Sequence, residues 1–254
     1  MEKNYKVDKL QVKIMETRQE MGRVAGDDIA AKMVELLAEK EYINVIFAAA
    51  PSQNETLASL LEHKEIDWSR INAFHMDEYI GLPADSTAKF GQYLNDHIFG
   101  LAPFRSINYI NTAVKSIDAE CERYSELLKQ FPPDIVCMGI GENGHIAFND
   151  PPVADFNDPK MAKPVALDMT CRIQQVNDKC FKTLDEVPKF AITLTVPTLF
   201  NAGHLFCSVP AITKAAAAKE MLTTDKIDEH CPATILRRHD SAILYLDSQS
   251  ASEL

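Results

Sequence analysis

At 254 residues, 46% hydrophobic and 25% charged, the chain has ordinary globular proportions and enough length for one large core or two small ones. A formal charge of −11 works against nonspecific nucleic-acid binding, yet leaves room for a small anion held by a few local cations or a helix N-terminus. No run of about 18 apolar residues offers a membrane span, and Met1-Glu2-Lys3-Asn4-Tyr5-Lys6 has no apolar signal region; the six cysteines form no CxxC pair, which suits free thiols in a reducing cytoplasm.

Leu10, Val12 and Ile14 alternate with Gln11 and Lys13, which predicts a strand with one polar face. Thr17 and Glu20 then form a capping box, and Met21, Val24, Ala25, Ile29, Met33, Leu36 and Leu37 fall on one helical face behind it. Val45 to Ala49 reads as a strand buried on both faces. Ser52 and Glu55 give a second capping-box pattern directly after it, so a helix carrying Leu57, Leu60 and Leu61 is expected to start at a strand's carboxyl end. Ile71 to Met76 predicts another strand, running into Asp77-Glu78 and closed by Gly81 and Pro83. Those two carboxylates read either as a solvated turn or as an acid/base pair.

Helices are expected around Phe90–Ile98 and Ile117–Leu128, then a buried strand over 134–138. The polar, proline-interrupted stretch 156–163 is a candidate lid, and 165–187 has no clear period. Leu205–Val209 predicts a strand, Lys214 opens an alanine-rich helix to Leu222, and Ala242–Leu246 predicts a last strand. Strands alternating with helices on short connections argue one doubly wound, mostly parallel α/β domain over residues 1–254, with helices on both faces.

The densest chemistry lies in Gly139-Ile140-Gly141-Glu142-Asn143-Gly144-His145-Ile146-Ala147-Phe148-Asn149-Asp150-Pro151-Pro152. Its GxGxxG pattern does not fit dinucleotide binding, because Pro151 and Pro152 leave too little helix after the third glycine. No HxxxH, HExxH or cysteine cluster has metal-ligand spacing, and no G-x-S-x-G elbow is present. Acid/base chemistry remains: His145, Asp150 five residues on, and the distant Asp77-Glu78.

Phe74-His75-Met76-Asp77-Glu78-Tyr79-Ile80-Gly81-Leu82 and the 139–151 loop resemble the two signatures of glucosamine-6-phosphate deaminases (isomerases). The likeness extends through Asp118-Ala119-Glu120-Cys121 and Val187-Pro188-Lys189-Phe190-Ala191-Ile192-Thr193 to Lys214. The resemblance implies a Rossmann-like fold and an aldose–ketose isomerisation with loss of ammonia, giving fructose 6-phosphate without metal or organic cofactor. It implies that His145 opens the sugar ring and Asp77 moves a proton from C2 to C1, with Asn143 and Asp150 tuning His145. Ser52, Gln53, Glu78, Gly144, Arg172 and Lys214 are the implied substrate contacts, with Ser52, Gln53, Arg172 and Lys214 on the phosphate. The partner is a small sugar phosphate, with no nucleic acid and no membrane; a homo-oligomer is left open.

Four positions depart from the family's pattern. Asn143 stands where the family has aspartate, and Asp150 where it has glutamate. Ala50-Pro51-Ser52-Gln53-Asn54 replaces the glycine- and threonine-rich phosphate loop, and Asn177 aligns with the phosphate arginine, Arg172 lying five residues earlier. All four touch the site, which implies altered substrate or rate. The rival readings are a galactosamine 6-phosphate enzyme, a 6-phosphogluconolactonase-like hydrolase indifferent to Asp77, and a silent sugar-phosphate sensor.

Overall fold

The computed structural model describes residues 3–254. The chain opens with the hairpin β1 (Lys3–Val7) and β2 (Leu10–Ile14), then α1 (Arg18–Glu39), β3 (Ile43–Phe47), α2 (Asn54–Glu62) and β4 (Ile71–His75). It continues through β5 (Asp77–Ile80), α3 (Phe90–Leu94), β6 (Ser106–Asn108), α4 (Ile117–Gln130) and β7 (Ile135–Met138). The second half holds β8 (Ala162–Ala166), α5 (Met169–Asn177), β9 (Phe190–Leu194), α6 (Val196–Phe200), β10 (His204–Val209), α7 (Ala215–Thr223) and β11 (Ala242–Leu246).

Eight strands pair in the order β1-β2-β11-β10-β7-β3-β4-β6, all parallel except β1. From β3 the chain steps outward to β4 and β6, then returns to β7 on the other side of β3 and steps outward again to β10 and β11. The order therefore reverses between β3 and β7, and a crevice at the carboxyl ends of those strands is where open α/β sheets bind ligands.

Alternation along the strands builds the core on both faces. Leu10, Ile46, Phe74, Val136, Leu205 and Leu244 pack on one side with α4, α6 and α7. Val45, Ala73, Cys137, Phe206 and Tyr245 pack on the other with α1 and α2. Such double coverage is why the central strands read as apolar runs. Where Asn44, Asn72 and Ser106 interrupt them, their side chains form a hydrogen-bonded ladder across β3, β4 and β6 at 2.9 and 2.7 Å.

Three expectations are corrected. Asp77-Glu78 is neither a turn nor part of the main sheet: after Met76 the chain enters a second sheet, β5-β9-β8, antiparallel throughout. Of the two capping boxes only the first caps its helix, Thr17 Oγ1 accepting from Glu20 N at 3.1 Å, while the Glu20 carboxylate accepts from Glu16 N at 3.2 Å in place of the N-cap's own N–H. Ser52 caps nothing; a 3-10 turn over Pro51–Gln53 leads into α2, whose N-cap Gln53 makes no side-chain capping bond. The stretch 156–163 is no lid: Phe156 N donates to Glu229 Oε1 at 3.1 Å and Lys163 lies in β8. No helix among the described residues is long and apolar enough to cross a membrane.

Candidate active site

The loops that leave β2, β3, β4, β7 and β10 all contribute to one pocket at the carboxyl end of the main sheet. Its walls include Arg18, Ser52, Gln53, Asp77, His145 and Lys214, and α5 closes it with Gln174 and Gln175. These two glutamines tie the cover down. Tyr79 donates its hydroxyl to Gln175 Oε1 at 2.7 Å, and Glu142 N donates to Gln174 Oε1 at 2.8 Å. The unpatterned 165–187 segment thus supplies the cover expected of the polar, proline-interrupted stretch 156–163.

His145 sits on a tight turn in which Gly141 N donates to His145 O at 2.9 Å. A Cβ on Gly141 would lie 2.0 Å from the imidazole Cε1, so only glycine lets the ring lie against that backbone. The ring's Nδ1 lies 2.7 Å from Asn143 Oδ1 and 3.0 Å from Asp150 Oδ1. Two neighbouring contacts fix the amide's orientation. The backbone N–H of His145, which can only donate, faces Asn143 Oδ1 at 3.2 Å, and Asn143 Nδ2 donates to Asp150 Oδ1 at 3.0 Å. Nδ1 therefore carries the proton, and Nε2 keeps its lone pair for chemistry. Asp150, though one methylene shorter than the family's glutamate, reaches the ring. Burial pushes its carboxyl up, but hydrogen bonding and charge from His145 outweigh it, and the net shift is downward.

Asp77 is the first residue of β5, buried, and its carboxylate accepts no hydrogen bond from any described residue. Burial, with Glu78 adding to it, holds this carboxyl well above the usual range. That is the environment in which a carboxylate becomes an effective base. His75 fixes the backbone beneath it: Ile110 N donates to His75 Nε2 at 2.8 Å, so Nδ1 carries the proton and donates to Asp77 O at 2.9 Å. The ring is locked neutral, its pKa pushed down to about 4 by burial.

That shift has a stability consequence. An unfolded imidazole takes up a proton as pH falls through about 6.5, but the folded one resists until about 4. Stability is full above pH 6.5 and drains between the two values, by up to roughly 3 kcal/mol. Urea unfolding at pH 7 and pH 4.5 should show a smaller acid loss in His75→Gln than in the parent; equal losses would remove His75 as the cause.

Glu78 has a structural job instead of the expected substrate contact. Oε1 accepts from Tyr79 N at 2.9 Å and Phe90 N at 3.1 Å, and Oε2 from Gly91 N at 2.9 Å; Glu78, itself outside the pocket lining, thus anchors the start of α3, where Phe90 lines the pocket. Gly144 also lies outside it; with φ +75° it turns the loop, and its carbonyl accepts from Ala233 N at 2.9 Å. Arg172 points away from the pocket, donating to Leu184 O at 2.7 Å and Val187 O at 3.0 Å, which staples α5 to the chain behind it. Asn177, expected from the resemblance to stand at the phosphate arginine's place, is exposed.

Cationic character in the pocket comes from Lys214 and Arg18. Lys214 is 4% exposed and its ammonium has no hydrogen-bond partner. Burial pushes its pKa down, against the pull of Asp178 and Glu142. Arg18 Nε lies 2.8 Å from Glu55 Oε1, near enough to pair by charge but not aligned for a hydrogen bond. Ser52 and Gln53 complete this end, Gln53 Nε2 donating to Ser52 Oγ at 3.1 Å and Ser208 O at 3.2 Å. Sequence reasoning missed Arg18, His75 and the two glutamines. Arg18 was legible as the first residue of a capped helix after a parallel strand, and His75 only through its place between Phe74 and Met76.

The family model for glucosamine-6-phosphate isomerases/6-phosphogluconolactonase matches residues 16–245. The chain belongs to this family. A glucosamine-6-phosphate deaminase of Listeria monocytogenes is 31% identical over 232 residues, covering 91% of this chain and 97% of the relative. The solved structure of a monomeric glucosamine-6-phosphate deaminase superposes with a TM-score of 0.86 at 27% identity, covering 96% of this chain and 99% of the other. A 6-phosphogluconolactonase of Thermotoga maritima superposes at 0.75 with 22% identity over 94% of this chain and 100% of its own, a likeness of fold.

Within this family, Asn143 and Asp150 make sense together. An aspartate at 143 would set a carboxylate oxygen where Asn143 Nδ2 now donates, 3.0 Å from Asp150 Oδ1. Two carboxylates at that distance cannot both ionise without a shared proton or a protonated imidazole. Asn143→Asp should therefore move the acid limb of kcat/KM upward by roughly one to three pH units. The exchange Asn143→Asp with Asp150→Asn restores one amide and one carboxylate, so it should return the limb toward the parent's. A pH–rate profile in which the single variant matches the parent would disprove the pairing.

Proposed function

We propose that the chain deaminates and isomerises glucosamine 6-phosphate, releasing ammonia and fructose 6-phosphate. One observation carries the reading: a lone carboxylate (Asp77), an imidazole with a free Nε2 (His145) and an unpartnered ammonium (Lys214) face one pocket. Lys214, Ser52, Gln53 and Arg18 hold the phosphate, through the charge of Lys214 and Arg18 and the polar side chains of Ser52 and Gln53. His145 Nε2 takes the C1 hydroxyl proton and returns it to the ring oxygen, opening the ring to the aldehyde. Asp77 then takes the C2 proton, which the adjoining carbonyl acidifies, and an enolamine forms. Delivery of that proton to C1, with one N–H proton of the amine passing to O1, gives the C2 imine; water adds there, the C2–N bond breaks, and the nitrogen leaves as ammonia. The reaction sequence is redox-neutral and consumes one water, and the proton transfers fall to the side chains that line the pocket.

The Listeria relative's name and the 0.86 superposition support this substrate over a lactone. A cytoplasmic setting accords with six free cysteines, and we read the chain as one domain over residues 1–254. The test is to incubate the purified chain with glucosamine 6-phosphate, galactosamine 6-phosphate, glucosamine and 6-phosphogluconolactone, following ammonia, ketose and lactone loss. Equimolar ammonia and fructose 6-phosphate from the first are expected, with weak turnover of the unphosphorylated sugar. Lactone loss without ammonia release would replace this reading with the hydrolase one.

A further inference from the structure

Cys171 has no part in that mechanism, yet it lies beside the group the mechanism depends on. One ligand atom each from His145, Asp150 and Cys171 lies within 4.8 Å of the others, and all three residues are buried. Asp150 is 1% exposed, and its Oδ2 has no hydrogen-bond partner. Separations of 5 and 21 residues along the chain hid this cluster from motif spacing. The folding of α5 against the 139–150 loop assembles it.

We propose that His145, Asp150 and Cys171 form a site for a soft divalent cation of the Zn²⁺ class, and that occupancy switches off the sugar-phosphate pocket. Nitrogen, carboxylate and thiolate are the donors such a cation takes, at about 2.0–2.3 Å, leaving a fourth position for water. In a tetrahedron of those bond lengths the ligand atoms stand roughly 3.3–3.8 Å apart. The side chains thus need to close by about an ångström, within side-chain freedom. Charge favours the set: one thiolate and one carboxylate neutralise a 2+ ion, and a neutral cluster is what a buried site tolerates.

The proton balance is simple. Cys171 releases its thiol proton to solvent as the sulfur–metal bond forms. If the cation takes His145 Nδ1, the displaced proton moves to Nε2; if it takes Nε2, Nδ1–H remains. Either way one proton leaves in total, and His145 has no lone pair left for the ring-opening step. Inhibition therefore rests on the reading of His145 given above, whereas binding does not. Because one proton leaves for each cation bound, affinity should strengthen as pH rises.

The experiment uses the full chain stripped with EDTA and titrated with Co²⁺, whose thiolate charge-transfer band and intensified visible bands report a tetrahedral sulfur-containing site. One equivalent should develop both, and Zn²⁺ should abolish them. Zn²⁺ should also suppress ammonia release, with EDTA restoring it. Cys171→Ala should lose the charge-transfer band, keep its basal turnover, and need at least tenfold more Zn²⁺ for inhibition; Cys171→Ser replaces it if the alanine variant folds poorly. Cys180→Ala, which alters the thiol that lines the pocket, should keep the band. No band in the parent, an unchanged band in both Cys171 variants, or equal Zn²⁺ sensitivity in parent and variants would overturn the proposal. A chain that binds Co²⁺ through Cys171 but releases no ammonia would leave the site standing and remove the functional reading instead.

Discussion

Asp77→Asn is expected to bind glucosamine 6-phosphate with little change in KM and to turn it over roughly 10²- to 10⁴-fold more slowly, the usual contribution of a placed general base. The same variant should be more stable than its parent at neutral pH. A carboxyl whose folded-state pKa is raised contributes its full stability below its unfolded pKa of about 3.9 and loses it as pH rises through the folded value. Asp77 is raised by burial and by Glu78, so its charge at neutral pH costs folding free energy that a neutral amide does not. The calorimetric Tm of the Asp77→Asn variant should exceed the parent's at pH 7, with the gap closing toward pH 4. In the parent, kcat/KM should rise with pH along a limb lying above the ordinary carboxylate range. A variant that keeps more than a tenth of the parent's turnover, or that is destabilised at pH 7, would strip Asp77 of the role. Lactone hydrolysis, if it were the true activity, would persist in the variant.

The main sheet was legible in the sequence because its strands are covered on both faces. The runs at 43–47, 135–138, 205–209 and 242–246 are apolar for that reason, and β1, with both faces at the exposed edge, gave no such signal. The second sheet was not legible. β8 carries Pro164, tolerated because it is an edge strand, and β5 opens with two carboxylates that read as a turn by composition. Yet this sheet is what buries Asp77: placed on a turn, the carboxylate would be solvated and an ordinary acid.

Site residues divide along similar lines. Asp77, His145, Asn143, Asp150, Ser52, Gln53 and Lys214 converge on the pocket or on the hydrogen bonds behind His145, because each lies on a loop leaving the carboxyl end of a parallel strand or beside one. Glu78, Gly144 and Arg172 do not, and the reason is orientation. Glu78 neighbours Asp77 in a strand, so its side chain points to the opposite face and anchors α3. Arg172 shares a helix with Gln174 and Gln175 but faces Leu184 and Val187. Proximity in sequence to a catalytic residue predicts shared burial; whether the side chain shares the pocket depends on strand and helix period, which the aperiodic 165–187 segment concealed.

Lys214→Met should expose the opposing demands of the phosphate end. Removing the ammonium deletes charge-assisted hydrogen bonds to phosphate, each worth about 1.5–3 kcal/mol, so kcat/KM should fall roughly 10- to 150-fold, chiefly through KM. Stability should move the other way. A lysine whose folded-state pKa is lowered burdens the fold at every pH below its ordinary value, because the unfolded chain accepts the proton more readily. Lys214 is lowered by burial, and its ammonium has no partner, so methionine of similar length relieves that burden while keeping the packing. In phosphate-free buffer at neutral pH, the Lys214→Met variant should therefore unfold at a higher temperature than the parent. Adding inorganic phosphate should reverse the order: an anion that binds only the folded state raises the parent's Tm with its concentration, and the variant, lacking the cation, should respond weakly. Equal phosphate-induced shifts in both chains would move the phosphate site away from Lys214, to Arg18 and Ser52.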